Sequence, residues 1–363
     1  MLLFLIIKLV SPWTPIASRY NVEQLPGINS VIVENKEMVV WKNSVSNQFV
    51  VQDNICPHRL APLSEGEVLE NGNIMCAYHG WEMNSRGGIE NIPQMESKNT
   101  DTIHSHRCNL RTYPVHTTGD VIWADLEPPT SVERKPPWDP VLDICGPIHE
   151  REVPYSINFL LENFFDPAHV PWVHAGMQGV RSDAGPINMK QVSFDKDNIS
   201  ISFRDVVNGC PREGLITLKN KYIYSLYKMG KYGWENDMTI LCIPVCAGRS
   251  RIMMCSDNSN TTPEERVTAH KYTNAFFNTD DYLVHKQEII ARRTNNKYYT
   301  PTNSDYGTRR LRQWIKLFYP DWEYSGAVIE ELSKEQATHN FQNHEQFCGD
   351  CYRVLKTKDF NIE

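Results

Sequence analysis

Cys56-Pro57-His58 and Cys76-Ala77-Tyr78-His79 stand twenty residues apart and bring two thiols and two imidazoles to two short stretches. That donor set suits a 2Fe-2S cluster in which two of the usual thiolates are replaced by histidines on one iron, a substitution that raises the reduction potential. Each stretch carries one Cys and one His, so each loop can reach neighbouring irons, and the 17 residues between His58 and Cys76 allow a return hairpin. Arg59-Leu60-Ala61-Pro62-Leu63 and Gly80-Trp81 supply apolar cover that sets the local dielectric and so tunes the potential. Zinc is the competing reading. Structural zinc sites, however, space their cysteines by about two to four residues and their histidines by about three to five, and the single residue between Cys56 and His58 fits that poorly.

A second group follows in Asn163-Phe164-Phe165-Asp166-Pro167-Ala168-His169 and His174. Non-haem Fe(II) sites take two His and one carboxylate on one face and leave the opposite positions open. His169 and His174 supply the imidazoles, and Asp166 or Asn163 is placed to hydrogen-bond the outward ring nitrogens. The carboxylate ligand must come from elsewhere in the chain. Taken alone, the two histidines also read as solvated or capping residues.

The elements that must carry these groups follow from hydrophobic pattern. Val31-Ile32-Val33, Met38-Val39-Val40-Trp41, Gln48-Phe49-Val50-Val51, Asn73-Ile74-Met75 and Val121-Ile122-Trp123 predict closely spaced strands around the first site. The run from Glu127-Pro128-Pro129 to Lys135-Pro136-Pro137-Trp138 predicts a connector. Beyond it, Ile157 to His169 predicts a helix with Ser156 as N-cap. Strands are expected at Val192–Phe194, Ile199–Phe203, Tyr222–Leu226, Met238–Leu241 and Arg251–Met254, then a helix from about Thr279, with polar loops at Asp257–Pro263 and Arg293–Asp305. The pattern is α+β.

A net charge of -7 argues against nucleic acid as the main partner. Ten cysteines without scaffold spacing point to a reducing compartment such as the cytoplasm and not to secretion. Met1–Val10 is apolar but too short to span a bilayer, and reads as a first strand or the remnant of an anchor or targeting segment. A mean hydropathy of -0.47 agrees with a globular chain.

Cys56-Pro57-His58-Arg59 with Cys76-x-Tyr78-His79-Gly80-Trp81, followed by Asn163-x-x-Asp166-Pro167-x-His169 and His174, resembles the Rieske non-haem iron oxygenases over most of the chain. Trp13-Thr14-Pro15-Ile16, Cys56 to Gly66, Leu160-Leu161-Glu162-Asn163 and Asp166 to Pro171 resemble the pheophorbide a oxygenase and chlorophyllide a oxygenase-like branch, which includes plastid-envelope proteins. The resemblance implies an all-β Rieske domain at 12–130, a helix-grip catalytic domain at 145–330, and a tail at 331–363 carrying Cys348-Gly349-Asp350-Cys351, either a thiol-disulfide switch or an inert reduced pair.

It implies a 2Fe-2S cluster on Cys56, His58, Cys76 and His79, and a mononuclear Fe(II) on His169, His174 and a downstream Asp that opens a helix. Asp280 fits the family register and Asp281 is the alternative, although either also reads as a carboxylate answering a helix dipole. Asp166 is implied as the electron-transfer bridge between the two centres. The implied partners are a ferredoxin or flavin reductase, O2, a small organic substrate such as a chlorophyll-derived tetrapyrrole, and further copies in a homotrimer. A stroma or envelope location goes with the branch; its membrane-bound members continue into hydrophobic anchors, and attachment by that route is left open here. The alternatives are a hydroxylase or O-demethylase of a smaller aromatic or alkaloid-like molecule, or a Rieske carrier or sensor that does not oxygenate.

Overall fold

The computed structural model describes residues 13–96, 109–127, 139–143, 146–256, 260–339 and 344–357. The expectations for Met1–Val10 and for most of the Pro-rich connector fall outside these residues.

The N-terminal strands form three small antiparallel sheets: β1 (Trp13–Ser18) with β11 (Val121–Asp125) and β10 (Val115–Thr118); β2 (Asn29–Val33), β3 (Lys36–Lys42), β4 (Phe49–Asp53) and β9 (Thr112–Tyr113); and β5 (Glu67–Val68), β6 (Ile74–Met75), β7 (Glu82–Met83) and β8 (Ile89–Asn91). The unbroken apolar run of β3 has a direct explanation. Successive strand side chains point to opposite faces, and β3 lies between two cores. Met38 and Val40 join one with Trp13, Ile16 and Trp123, whereas Val39 and Trp41 join another with Leu63, Ile74, Met83, Cys56 and Cys76. The two Cys/His loops are thereby seated on a sheet that is rigid from behind.

Seven further strands make one antiparallel sheet: β12 (His149–Val153), β13 (Asn188–Phe194), β14 (Asn198–Val207), β15 (Cys210–Lys219), β16 (Ile223–Gly230), β17 (Gly233–Cys246) and β18 (Arg249–Cys255), in the order β12-β18-β17-β16-β15-β14-β13. β13 to β18 form a meander of hairpins. Tyr222, Ile223, Leu241, Ile243 and Met253 from this sheet share a core with β1 and β11.

On the sheet lie α1 (Ile157–Phe164), α2 (Pro263–Arg293) and α3 (Tyr306–Phe318), through Leu160, Leu161, Phe277, Val284, Leu311 and Trp314. A C-terminal helix, α4 (Gly349–Thr357), packs on α2 and on the short helix Arg19–Gln24. Among the described residues no helix is long and apolar enough to cross a membrane.

The predicted helix over Ile157–His169 is shorter in the structure. It stops at Phe164 because Pro167 lacks an N–H and disfavours helical geometry in the residue before it. Asp166 instead caps a single 3-10 turn, Pro167–His169, by accepting the Ala168 N–H at 2.9 Å. Ser156 occupies the N-cap position of α1 and its carbonyl accepts the Phe159 and Leu160 N–H groups, but its side chain makes no cap bond, since its hydroxyl faces Glu288 and accepts the Gly248 N–H. The helix expected from Thr279 begins sixteen residues earlier, at Pro263, where Thr262 and Glu265 form a capping box. Asp280 therefore sits mid-helix and does not open one. β12 and β15 were not foreseen.

Candidate metal centres

The first two stretches fold into two matching loops. Cys56 N–H donates to the Ala61 carbonyl at 2.8 Å and Leu60 N–H to the Cys56 carbonyl at 2.9 Å; Cys76 N–H donates to Trp81 and Gly80 N–H to Cys76, both at 2.9 Å. Each loop closes through a left-handed residue, Leu60 at φ 62° and Gly80 at φ 71°. Both cysteines are buried, while the rings of His58 and His79, 4.6 Å apart, sit half-exposed above them. Trp81 stacks on His58 at 4.4 Å and 3°, which fixes the ring plane. His58 Nδ1 is buried without a hydrogen-bond partner. An orphaned imidazole nitrogen beside two inward thiols fits a cluster that takes its lone pair. Burial pushes the Cys56 thiol up to about 11, so its sulfur needs a bound cation to lie there as a thiolate.

His169, His174 and Asp280 converge, although they come from the 3-10 turn, the residue capping the Val170–Val173 helical turn, and α2. His169 Nε2 and His174 Nε2 are 3.3 Å apart, and the Asp280 carboxylate lies 3.1 Å from the latter and 3.8 Å from the former. The proton positions follow from the partners. His169 Nδ1 donates to the Asp166 backbone carbonyl at 2.5 Å. The Thr279 hydroxyl donates to the Phe276 carbonyl at 2.7 Å, so its oxygen is left to accept from His174 Nδ1 at 2.8 Å. With both Nδ1 atoms protonated, two Nε2 lone pairs and a carboxylate face one point. A bound metal cation relieves that arrangement, and two imidazoles with one carboxylate suit Fe(II).

The outer hydrogen bonds differ from the expected ones. Asp166 supports His169 through its main chain; Asn163 touches neither ring, but its Nδ2 donates to Asp280 Oδ1 at 3.2 Å. Thr279, next to Asp280, is the partner that sequence reading missed, and no spacing signal marks it. Asp281 points the other way, into a buried ion pair with Arg151 at 2.6 Å and a hydrogen bond from Tyr155 at 3.2 Å. Thr279→Val should leave the fold intact and weaken mononuclear iron binding by about 10- to 100-fold, the usual cost of losing an outer partner; iron titration of the depleted variant measures it.

Two cavities meet at this group. One, of about 450 Å³, is an open cleft where Asp166, His169 and Asp280 meet Glu162, Gln287 and Tyr298. The other, of about 70 Å³, is walled by Phe203, Ile216, Tyr224, Met238 and Phe276.

Residues 12–114 match the family described as Rieske 2Fe-2S domain, and residues 156–317 the vanillate O-demethylase oxygenase C-terminal domain. The chain is 27% identical to a chloroplastic pheophorbide a oxygenase of Oryza sativa subsp. japonica over 89% of this chain and 69% of that protein. It is 25% identical to the chloroplastic flavonoid 8-hydroxylase 2 of Ocimum basilicum over 95% of this chain and 73% of that protein. In fold it resembles dicamba monooxygenase bound to dicamba, with a TM-score of 0.67 at 16% identity, covering 85% of this chain and 97% of that one.

Proposed function

Because the chain belongs to the Rieske non-haem iron oxygenase family, we propose that it oxygenates an organic substrate at a mononuclear iron held by His169, His174 and Asp280. The observation that carries this reading is the convergence of two Nε2 atoms and one carboxylate at the wall shared by an open cleft of mixed lining and an apolar cavity. Cys56, His58, Cys76 and His79 would hold the cluster. Rieske oxygenases take electrons from a ferredoxin or reductase and use O2. The two groups, when bound, supply electron storage and dioxygen activation, chemistry that no side chain provides.

The chain's own residues prepare the site. Phe276 stacks on His174 at 3.9 Å and 16°, holding the ring and keeping water from one face. Asn163 orients the Asp280 carboxylate. Asp166 touches the back of His169 through its carbonyl and lines the open cleft with its carboxylate, a position suited to bridge the site to the Rieske loops of a second copy in a trimer. The proposed working units are a Rieske domain at 12–130 and a catalytic domain at 145–330, with 331–363 as a C-terminal tail carrying Cys348 and Cys351. The names of both plant relatives support a plastid location.

For the substrate we assign a chlorophyll-derived tetrapyrrole such as pheophorbide a, supported by the relative of that name, with its reacting edge at the iron and its body in the open cleft. The small apolar cavity favours a second reading, hydroxylation or O-demethylation of a compact aromatic. Reconstituted enzyme with a ferredoxin reductase should be incubated with pheophorbide a, a flavone and a methoxybenzoate. Oxygen added to the tetrapyrrole supports the first reading; product only from the smaller rings replaces it with the second.

A further inference from the structure

The C-terminal Cys-x-x-Cys has two buried partners that its spacing alone did not announce. Cys348 and Cys351 meet His344, four residues before the first of them, and His270 on α2; all four are buried, and their donor atoms lie within 4.8 Å of one another. His344 Nε2 is 3.2 Å from His270 Nδ1 and 3.3 Å from Cys351 Sγ, while His270 Nδ1 is 3.3 Å from Cys348 Sγ and 3.5 Å from Cys351 Sγ. A tetrahedral zinc with bonds of about 2.05 Å to nitrogen and about 2.3 Å to sulfur would set its ligands about 3.4 Å apart for N···N and about 3.6 Å for N···S. The four edges given, at 3.2–3.5 Å, fall within about 0.3 Å of such a tetrahedron.

The proton position on His344 agrees. His344 Nδ1 lies 2.6 Å from the Glu150 carbonyl and must donate to it, which leaves Nε2 as a lone pair aimed at the centre, as the outer hydrogen bond of a metal-bound histidine does. His270 Nδ1 faces one nitrogen and two sulfurs at hydrogen-bond distance, and a single N–H can serve only one of them. Four buried donors crowded on one point, two of them thiols, are the chemistry of a closed structural site with no open position.

We propose that His270, His344, Cys348 and Cys351 bind one zinc ion, with loss of two thiol protons to solvent, as a site separate from both iron centres. Its place in the fold gives it a task. Asp350, between the cysteines, accepts from Arg266 at 2.6 Å and from Tyr20 at 2.7 Å, so the ion and this salt bridge fasten α4 to α2 and to the N-terminal unit. His270 precedes Asp280 on α2 by ten residues, about 15 Å of helix. That spacing keeps the site apart from the mononuclear centre on the same helix.

Metal analysis of the enzyme as purified under reducing conditions tests this. About one zinc per chain is expected in addition to the iron. Cys348→Ser and His344→Ala should each lose that zinc while the cluster absorbance and mononuclear iron stay. Should these variants fail to fold, protein produced with cobalt decides: intense tetrahedral d–d bands with thiolate-to-cobalt charge transfer are expected, and both cysteines should resist alkylation until a chelator is added. Zinc-free native protein with freely alkylated thiols, a Cys348–Cys351 disulfide in the purified enzyme, or iron as the only metal at these residues would each overturn the proposal.

Discussion

Asp280→Ala is expected to empty the mononuclear site, with iron affinity reduced by more than the roughly 100-fold that loss of an outer hydrogen-bond partner costs, while the cluster spectrum is unchanged. The neighbouring Asp281→Ala should do the opposite. It would leave Arg151 charged and unpaired in the core, where both side chains of that ion pair are fully buried, at a cost of about 3–5 kcal/mol of stability. The protein that still folds should retain its iron. Iron content by metal analysis, cluster absorbance and thermal unfolding separate the two variants. Iron retained by Asp280→Ala, or lost selectively from Asp281→Ala, would show that the third ligand is wrongly assigned.

Asp166→Asn is expected to keep both metal centres loaded while turnover falls by about 100-fold or more, the scale associated with a misplaced reacting group. The reason lies in which atoms of Asp166 do what. Its backbone carbonyl holds His169 and is untouched by the substitution, and Asn Oδ1 can still accept the Ala168 N–H. Only the negative charge in the open cleft is lost. Steady-state rates with iron and cluster content measured on the same sample give the answer; normal turnover would remove Asp166 from the path between the centres.

The two histidine-bearing stretches were legible because their ligands are close in sequence and carried by tight loops. The carboxylate was harder. Periodicity did not reveal where α2 begins, because the side it buries is largely polar: Arg266, His270, Asn274, Asp281, His285 and Glu288 are all within the core. Each meets a partner distant in sequence, such as Asp350 for Arg266, Arg151 for Asn274 and Ser156 for Glu288. An apolar stripe is what a helix shows when its partners are apolar; here they are charged.

The same pairing hid β12, whose His149-Glu150-Arg151-Glu152 sequence reads as exposed yet is buried by Arg251, Asp281 and Arg249. β15 was masked by Pro211 and Gly214, although Asn208-Gly209, both at positive φ, is a hairpin signal available in the sequence. The Cys348–Cys351 pair could be seen, but its partners His270 and His344 could not be joined to it before α4 was placed on α2.

A single-turnover reaction under labelled dioxygen tests the oxygenase assignment most directly. Enzyme with both iron centres filled is reduced anaerobically, freed of reductant, mixed with substrate and exposed to oxygen-18. The label is expected in the product, in an amount that follows mononuclear iron content and disappears in Asp280→Ala while the cluster remains. Oxidation of the cluster with no labelled product across the tetrapyrrole and small-aromatic substrates would contradict the assignment and leave a Rieske electron carrier in its place.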